Sequence, residues 1–152
     1  MLAKLTLLAE SSFPQQGGLG FPLTAEKAYI FNTKNISFLK VYGTTDSEFT
    51  YLFAPGDTRT SRAIFRVDEA YSVIAAVALS DYAGMLLEVS VVEDEFGDTI
   101  TSTKYYVNQD HIVLADTYAT GYTKLYINDG GSALKKLVVT ETLDQLITLA
   151  DA

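Results

Sequence analysis

Few residues in this chain have types and spacing that could do chemistry. Glu93, Asp94, Glu95 and Asp98 surround Gly97. Such an oxygen-rich cluster can hold a hard cation, but it lacks EF-hand spacing, and a solvated acidic hairpin tip has the same composition. Glycoside hydrolysis would need two carboxylates facing a cleft, one with a raised pKa, and nothing in the local pattern buries either. His111, the one histidine, has Asp110 and Asp116 nearby, which is part of a Ser-His-Asp inventory. In the internal alignment given below it falls opposite Asn35, so it is expected to be a corner residue. The run Gly17-Gly18-Leu19-Gly20 lacks the lysine and following helix of a phosphate loop. Arg59, Arg62 and Arg66 form a spaced trio and Lys135-Lys136 a pair; these are too few to displace the counterions of a phosphate backbone, so no nucleic-acid partner is expected. The expectation is a chain with no catalytic residue, no metal ligand and no cofactor.

Composition points the same way. Zero Cys excludes disulfide scaffolds, thiol catalysis, iron–sulfur clusters and Cys-based zinc sites. With 152 residues, 48% of them apolar, the chain is long enough for one domain or two small ones, and a domain of this size buries roughly 70% of its unfolded surface without a staple. The net charge of −8 is unevenly spread: residues 1–84 carry 7 basic and 8 acidic side chains, residues 85–152 carry 4 and 11. The opening residues lack a signal h-region, and the longest apolar stretch, 71–79, falls well short of the roughly 20 residues of a membrane span. A soluble protein without a membrane partner is expected.

The elements that must position these residues are mostly strands. Leu5 and Leu7, then Leu87, Val89 and Val91, alternate with their neighbours as half-buried strands do. Segments rich in Tyr, Phe, Val, Ile and Thr follow at 26–32, 36–42, 49–54, 63–67, 103–108, 111–118, 122–128 and 134–139. Residues 54–58 (APGDT) and Asn128-Asp129-Gly130-Gly131 supply turn chemistry. Two segments predict helices. The first runs from a cap at Asp68, with Val73, Ile74, Val77 and Ala78 apolar, to a stop at Gly84. The second starts at a capping box, Thr142 with Gln145, and carries Leu143, Leu146, Ile147 and Ala150 on one face.

The same order recurs in both halves. Asn32 and Ile36 match Asn108 and Ile112 at an offset of 76; residues 49–53 match 122–126 at 73; residues 67–78 match 139–150 at 72. The fold class expected is α+β, β-dominated, with two tandem divergent copies of a four-stranded antiparallel sheet followed by a helix. Residues 1–84, with an extended loop at 11–24, form the first module and 85–152 the second, packed as one compact unit. Each half is marginal alone at this size, which points toward assembly.

The motif of strand, Asn-containing corner (YYVNQDHIV), Gly turn and LVVTETLDQLI resembles small flagellar proteins of the FlbD type and small tailed-phage virion proteins. Compact, acidic, Cys-free β proteins are similar to phage head auxiliary and decoration proteins. That resemblance implies a non-enzymatic structural protein of a bacteriophage virion, assembled in the host bacterial cytoplasm, with copies of itself and other shell proteins as partners. In the loop SSFPQQGGLGFPLT, Phe13, Leu19, Phe21 and Leu23 are costly to leave in water, so an arm docking on a neighbour, or a loop folded over its own sheet edge, is expected. Arg59, Arg62 and Arg66 of one copy would face Glu93, Asp94, Glu95 and Asp98 of another. A different class of reading is a small-ligand or carbohydrate-binding module using the 10 Tyr as stacking platforms, and a third is a protein-binding adaptor.

Overall fold

The computed structural model describes residues 1–9, 26–52, 62–131 and 133–151, the side chain of Arg62 excepted. The first half contributes strands β1 (Leu2–Thr6), β2 (Ala28–Asn32), β3 (Ile36–Tyr42), β4 (Asp46–Leu52) and β5 (Arg62–Val67), then helix α1 (Tyr71–Leu79). The second contributes β6 (Leu86–Glu93), β7 (Thr99–Asn108), β8 (Ile112–Ala119), β9 (Tyr122–Ile127) and β10 (Lys135–Val139), then helix α2 (Leu143–Ala150). One turn of 3-10 helix follows β2 (Thr33–Asn35) and another follows β7 (Gln109–His111). In each, the preceding Asn, Asn32 or Asn108, caps the turn by accepting from the amide two residues on.

The protein is β-dominated and every strand pairing is antiparallel. Eight strands form one sheet in the order β5-β4-β3-β7-β6-β10-β9-β8; β1 and β2 form a second, which touches β5 through the bridge Leu7↔Val67. Five strands per half therefore replace the expected four: the opening segment of the first half, β1, pairs with β2 in the small sheet, and that of the second, β6, lies between β7 and β10. The sheet also crosses the boundary between the halves, at the β3–β7 pairing.

Local chemistry accounts for the corresponding corners. Ser47 and Thr123 donate their hydroxyls to the carbonyls of Glu69 and Glu141, both at 2.7 Å. The carboxylate of Glu69 accepts from the amide and hydroxyl of Thr6 (2.7 and 3.0 Å); that of Glu141 accepts from the amide of Ser90 (2.9 and 3.1 Å). Each glutamate thus ties the turn before a helix to the first strand of its half. The two hydroxyl-to-carbonyl bonds are alike in kind, and Ser47 and Thr123 stand 76 residues apart. Both β3 and β8 carry an irregularity at the same point, between Ile36 and Phe38 and between Ile112 and Leu114.

The core has two centres. In the first half Phe31 meets Phe49, Tyr51 and Phe65 edge-on, with ring centroids 5.0–5.5 Å apart. Around them pack Leu5, Leu7, Ile36, Leu39, Ile74 and Ala78. In the second, Leu87, Val89, Val107, Leu125, Leu137 and Leu146 form the corresponding cluster. Helix α2 starts at the expected capping box, with Thr142 and Gln145 bonded both ways. Helix α1 does not start at Asp68: Ala70 is its N-cap, without a side-chain bond, and Ser80 ends it. Gly84 serves the connection instead, since a Cβ there would stand 2.2 Å from the carbonyl oxygen of Ala150, a close approach only glycine allows. Among the described residues no helix is long and apolar enough to cross a membrane.

Removing either carboxylate leaves a strand amide short of its acceptor. Glu69→Ala and Glu141→Ala are each expected to lower stability by about 1.5–3 kcal/mol in urea unfolding, with Glu→Gln losing less.

Candidate functional site

The joint between the halves gathers several polar side chains with long-range partners. Strand β3 meets β7 in the register Phe38↔Val107 and Leu39↔Tyr106. The side chain of Asn108, fully buried, donates to the carbonyls of Lys34 and Ile36 at 3.0 and 2.9 Å, so one amide both caps its own turn and pins the other half's corner. Beside it the buried Ser37 hydroxyl lies 2.7 Å from Nδ1 of His111 and 3.2 Å from the carbonyl oxygen of Asn128. Phe38 stacks on Tyr105 with the rings within 10° of parallel.

Toward the other end of the joint sits an ion cluster. Lys40 Nζ is 2.6 Å from the nearly buried Glu95 and 3.4 Å from Glu48, which in turn accepts from Arg66 Nε at 2.7 Å. The Tyr105 hydroxyl donates to Glu95, and the Arg66 guanidinium lies 4.3 Å from the centre of the Tyr42 ring. Burial by itself works against the Lys40 ammonium, but the hydrogen bond and charge of Glu95, with smaller effects from Tyr105 and Glu48, hold its pKa above the ordinary lysine value. Burial and then the charge of Glu95 push the Tyr105 hydroxyl up as well. Both groups stay protonated throughout the physiological range, so the cluster is a fixed electrostatic clasp.

His111 is where acid–base chemistry was weighed. In a Ser-His-Asp triad the hydroxyl faces one ring nitrogen and the carboxylate the other. Here the serine sits at Nδ1 in a buried position, while the Asp110 carboxylate accepts from Tyr82, whose hydroxyl is pushed up to about 12 by burial and by that bond. Asp116 lies on the exposed β8, opposite Lys124. Burial lowers the His111 pKa, only partly offset by a hydrogen bond to the Lys34 backbone and by the charge of Asp110. His111 is a corner residue that joins the halves.

The acidic group divides by role. Asp94 accepts from the amides of Phe96 and Asp98 and closes the hairpin, with Gly97 at φ 84°. Glu95 turns inward to Lys40; Glu93 lines a cleft of about 340 Å³ with Lys135 and Lys136; Asp98 is exposed. Among the described residues no group of three or more His, Asp or Glu is placed to hold a metal. Arg66 is engaged inside its own half. Phe13, Leu19, Phe21, Leu23 and Arg59 lie outside the described residues, as does the side chain of Arg62. Residue patterns missed Lys40, Glu48, Ser37 and Tyr105, whose partners are distant in sequence. Asn108 was visible only as one of a repeated Asn pair.

A further cleft, of about 420 Å³, runs under α2 and is apolar: Ile112, Ala115, Leu143, Leu146, Ile147 and Ala150 line it. Two of those, Leu143 and Ile147, are exposed. No family model matches the chain, and searches of curated proteins and of solved structures give no match either.

Two outcomes follow from the joint. Because the His111 pKa is depressed in the fold, its contribution to stability is present above its ordinary 6.5 and declines as pH falls below that value. The melting temperature is expected to drop on that acid limb, and His111→Gln is expected to flatten the portion above the carboxylate range. Asn108→Ala, which takes a donor from the buried carbonyl of Ile36 and from that of Lys34 and removes the cap of its own turn, is expected to cost about 2–4 kcal/mol in chemical denaturation, against about 1 kcal/mol for the capping Asn32→Ala.

Proposed function

We propose that this protein is a non-enzymatic assembly protein, a virion component of the phage head auxiliary or decoration type, acting through oligomerisation or attachment to a shell. We propose also that it consists of two divergent copies of one module, residues 1–84 and 85–152. The observation that carries the assembly reading is the distribution of exposed apolar side chains. Leu2 and Ile30 stand on the small β1–β2 sheet; Val113 and Leu114 stand on the terminal strand β8, and Leu143 and Ile147 on α2, beside the cleft that β8 also lines. Others, such as Val41, Val73 and Phe96, stand apart from these, but the two groups are the places where large apolar side chains gather, and gathered apolar surface marks what other protein covers. The net charge of −8, concentrated in the second half, favours the near-neutral first half of a neighbour over a second acidic half.

The carbohydrate reading has less support. Tyr118, Tyr42, Tyr29 and Tyr126 each have a cation over the ring, Lys124, Arg66, Lys27 and Lys136 respectively, which occupies the face a sugar would stack on. The apolar groove under α2 is a feature that favours a small apolar ligand.

The test is native mass spectrometry and sedimentation of the purified chain across a dilution series, alone and with purified phage shells. Concentration-dependent multiples of the monomer, or co-sedimentation with a shell, are expected. A chain that stays monomeric and binds no shell, while saturably taking up an apolar ligand, would replace this reading with the second.

A further inference from the structure

The halves of this chain are joined in a way that leaves two apolar surfaces unmatched among the described residues. Met85 and Leu86 open the second half, yet they are buried in the core of the first, with Ile36, Leu39, Ile74, Ala75 and Ala78. The corresponding positions in β1 are Met1 and Leu2. Leu2 pairs with Asn32 as Leu86 pairs with Asn108, and the carbonyls of Met1 and Met85 accept from Thr33 and Gln109. Leu86 is 3% exposed, whereas Leu2 is 64% exposed. The positions that receive Met85 and Leu86 correspond to Ile112, Ala115, Leu146, Ile147 and Ala150, which line the apolar groove under α2. Ala75 is 2% exposed in the filled joint; its counterpart Ile147 is 63% exposed.

The strand edges repeat the pattern. Strand β3 is paired by β7, but the counterpart of β3 is the terminal strand β8, and the counterpart of β7 is β2, which among the described residues pairs only with β1. Tyr106 of β7 packs on Tyr71 of α1 with centroids 4.7 Å apart. Their counterparts, Ile30 (69% exposed) and Leu143, face no such partner. Asn108 spends its side-chain amide on the far half's corner; the amide nitrogen of Asn32 makes no such bond among the described residues.

We infer that a second copy of this chain docks head to tail on the first. Its Met1 and Leu2 enter the groove under α2, its β2 pairs with β8, and its Asn32 amide reaches the carbonyls of Asp110 and Ile112. The occupant is a copy of this chain because the intact joint between the halves already displays the contact, and repeating it extends one sheet from chain to chain. The inference rests on the proposed assembly function and names its partner and surface. A contact of this kind is heterologous, so it closes as a ring or continues as a filament.

The experiment uses the untagged full chain with one lysine on each side of the contact, Leu2→Lys and Ile147→Lys, both at exposed positions that folding does not need, checked by circular dichroism. Each single variant is expected to weaken self-association on the order of 10- to 100-fold in sedimentation velocity and to run as a monomer. Each retains one good surface, so mixing the two is expected to restore a one-to-one heterodimer and nothing larger. Assembly persisting in either single variant while the parent assembles would overturn this contact and leave the assembly function standing. A mixture that stays monomeric would overturn the head-to-tail geometry. A parent chain that is monomeric at every concentration would overturn the contact outright, with shell attachment then decided separately by co-sedimentation.

Discussion

An open antiparallel sheet leaves its two outer strands with backbone groups that no strand satisfies, and one short helix cannot also cover the apolar face of five strands. Much of this protein's architecture answers that constraint. The first half meets it by lending the edge of β3 to β7 and by admitting Met85 and Leu86 beneath α1. Helix α1 is consequently well seated, with Ile74, Ala75 and Ala78 all buried. Helix α2 lacks an equivalent visitor and buries Leu146 alone. The two helices differ in packing because only one of them has the beginning of another half laid against it.

The polar side of the joint gives that apolar contact a unique register. A slip of one residue between β3 and β7 would carry Asn108 off both carbonyls and separate Lys40 from Glu95. Ion pairs taken from water return little net stability after desolvation, and fixing one pairing against its alternatives is a better-attested use. The Lys40 cluster suits that use: Glu95 is nearly buried, comes from the other half, and also accepts from Tyr105. Ser37 and His111 do the same at the corner with a neutral hydrogen bond in place of an ion pair.

Local chemistry was legible in the residues wherever one bond decides the outcome. Thr142 and Gln145 announced the start of α2, and the repeated Asn at 32 and 108 marked two corners of like geometry. Asp68 was read as a cap and is not one, because the chain turns toward β1 at Glu69 before α1 begins. The bonds of Ser47 and Thr123 to the carbonyls of Glu69 and Glu141 were not legible, because composition alone cannot tell which hydroxyl meets which carbonyl. Arg66 and Glu95 were read as opposite faces of a contact between copies; each found a partner inside the chain.

By itself, then, the order of residues determined a β-dominated chain with two capped corners, two helices and no cysteine chemistry, since alternation, caps and turn residues act over a few neighbours. It could not reveal which strands lie side by side, that Gly84 must pass against Ala150, or that Leu86 is hidden while Leu2 is open. Those were decided by tertiary structure, because burial and strand pairing join groups dozens of residues apart. The apolar pattern along a segment records that a face needs covering, but not what covers it.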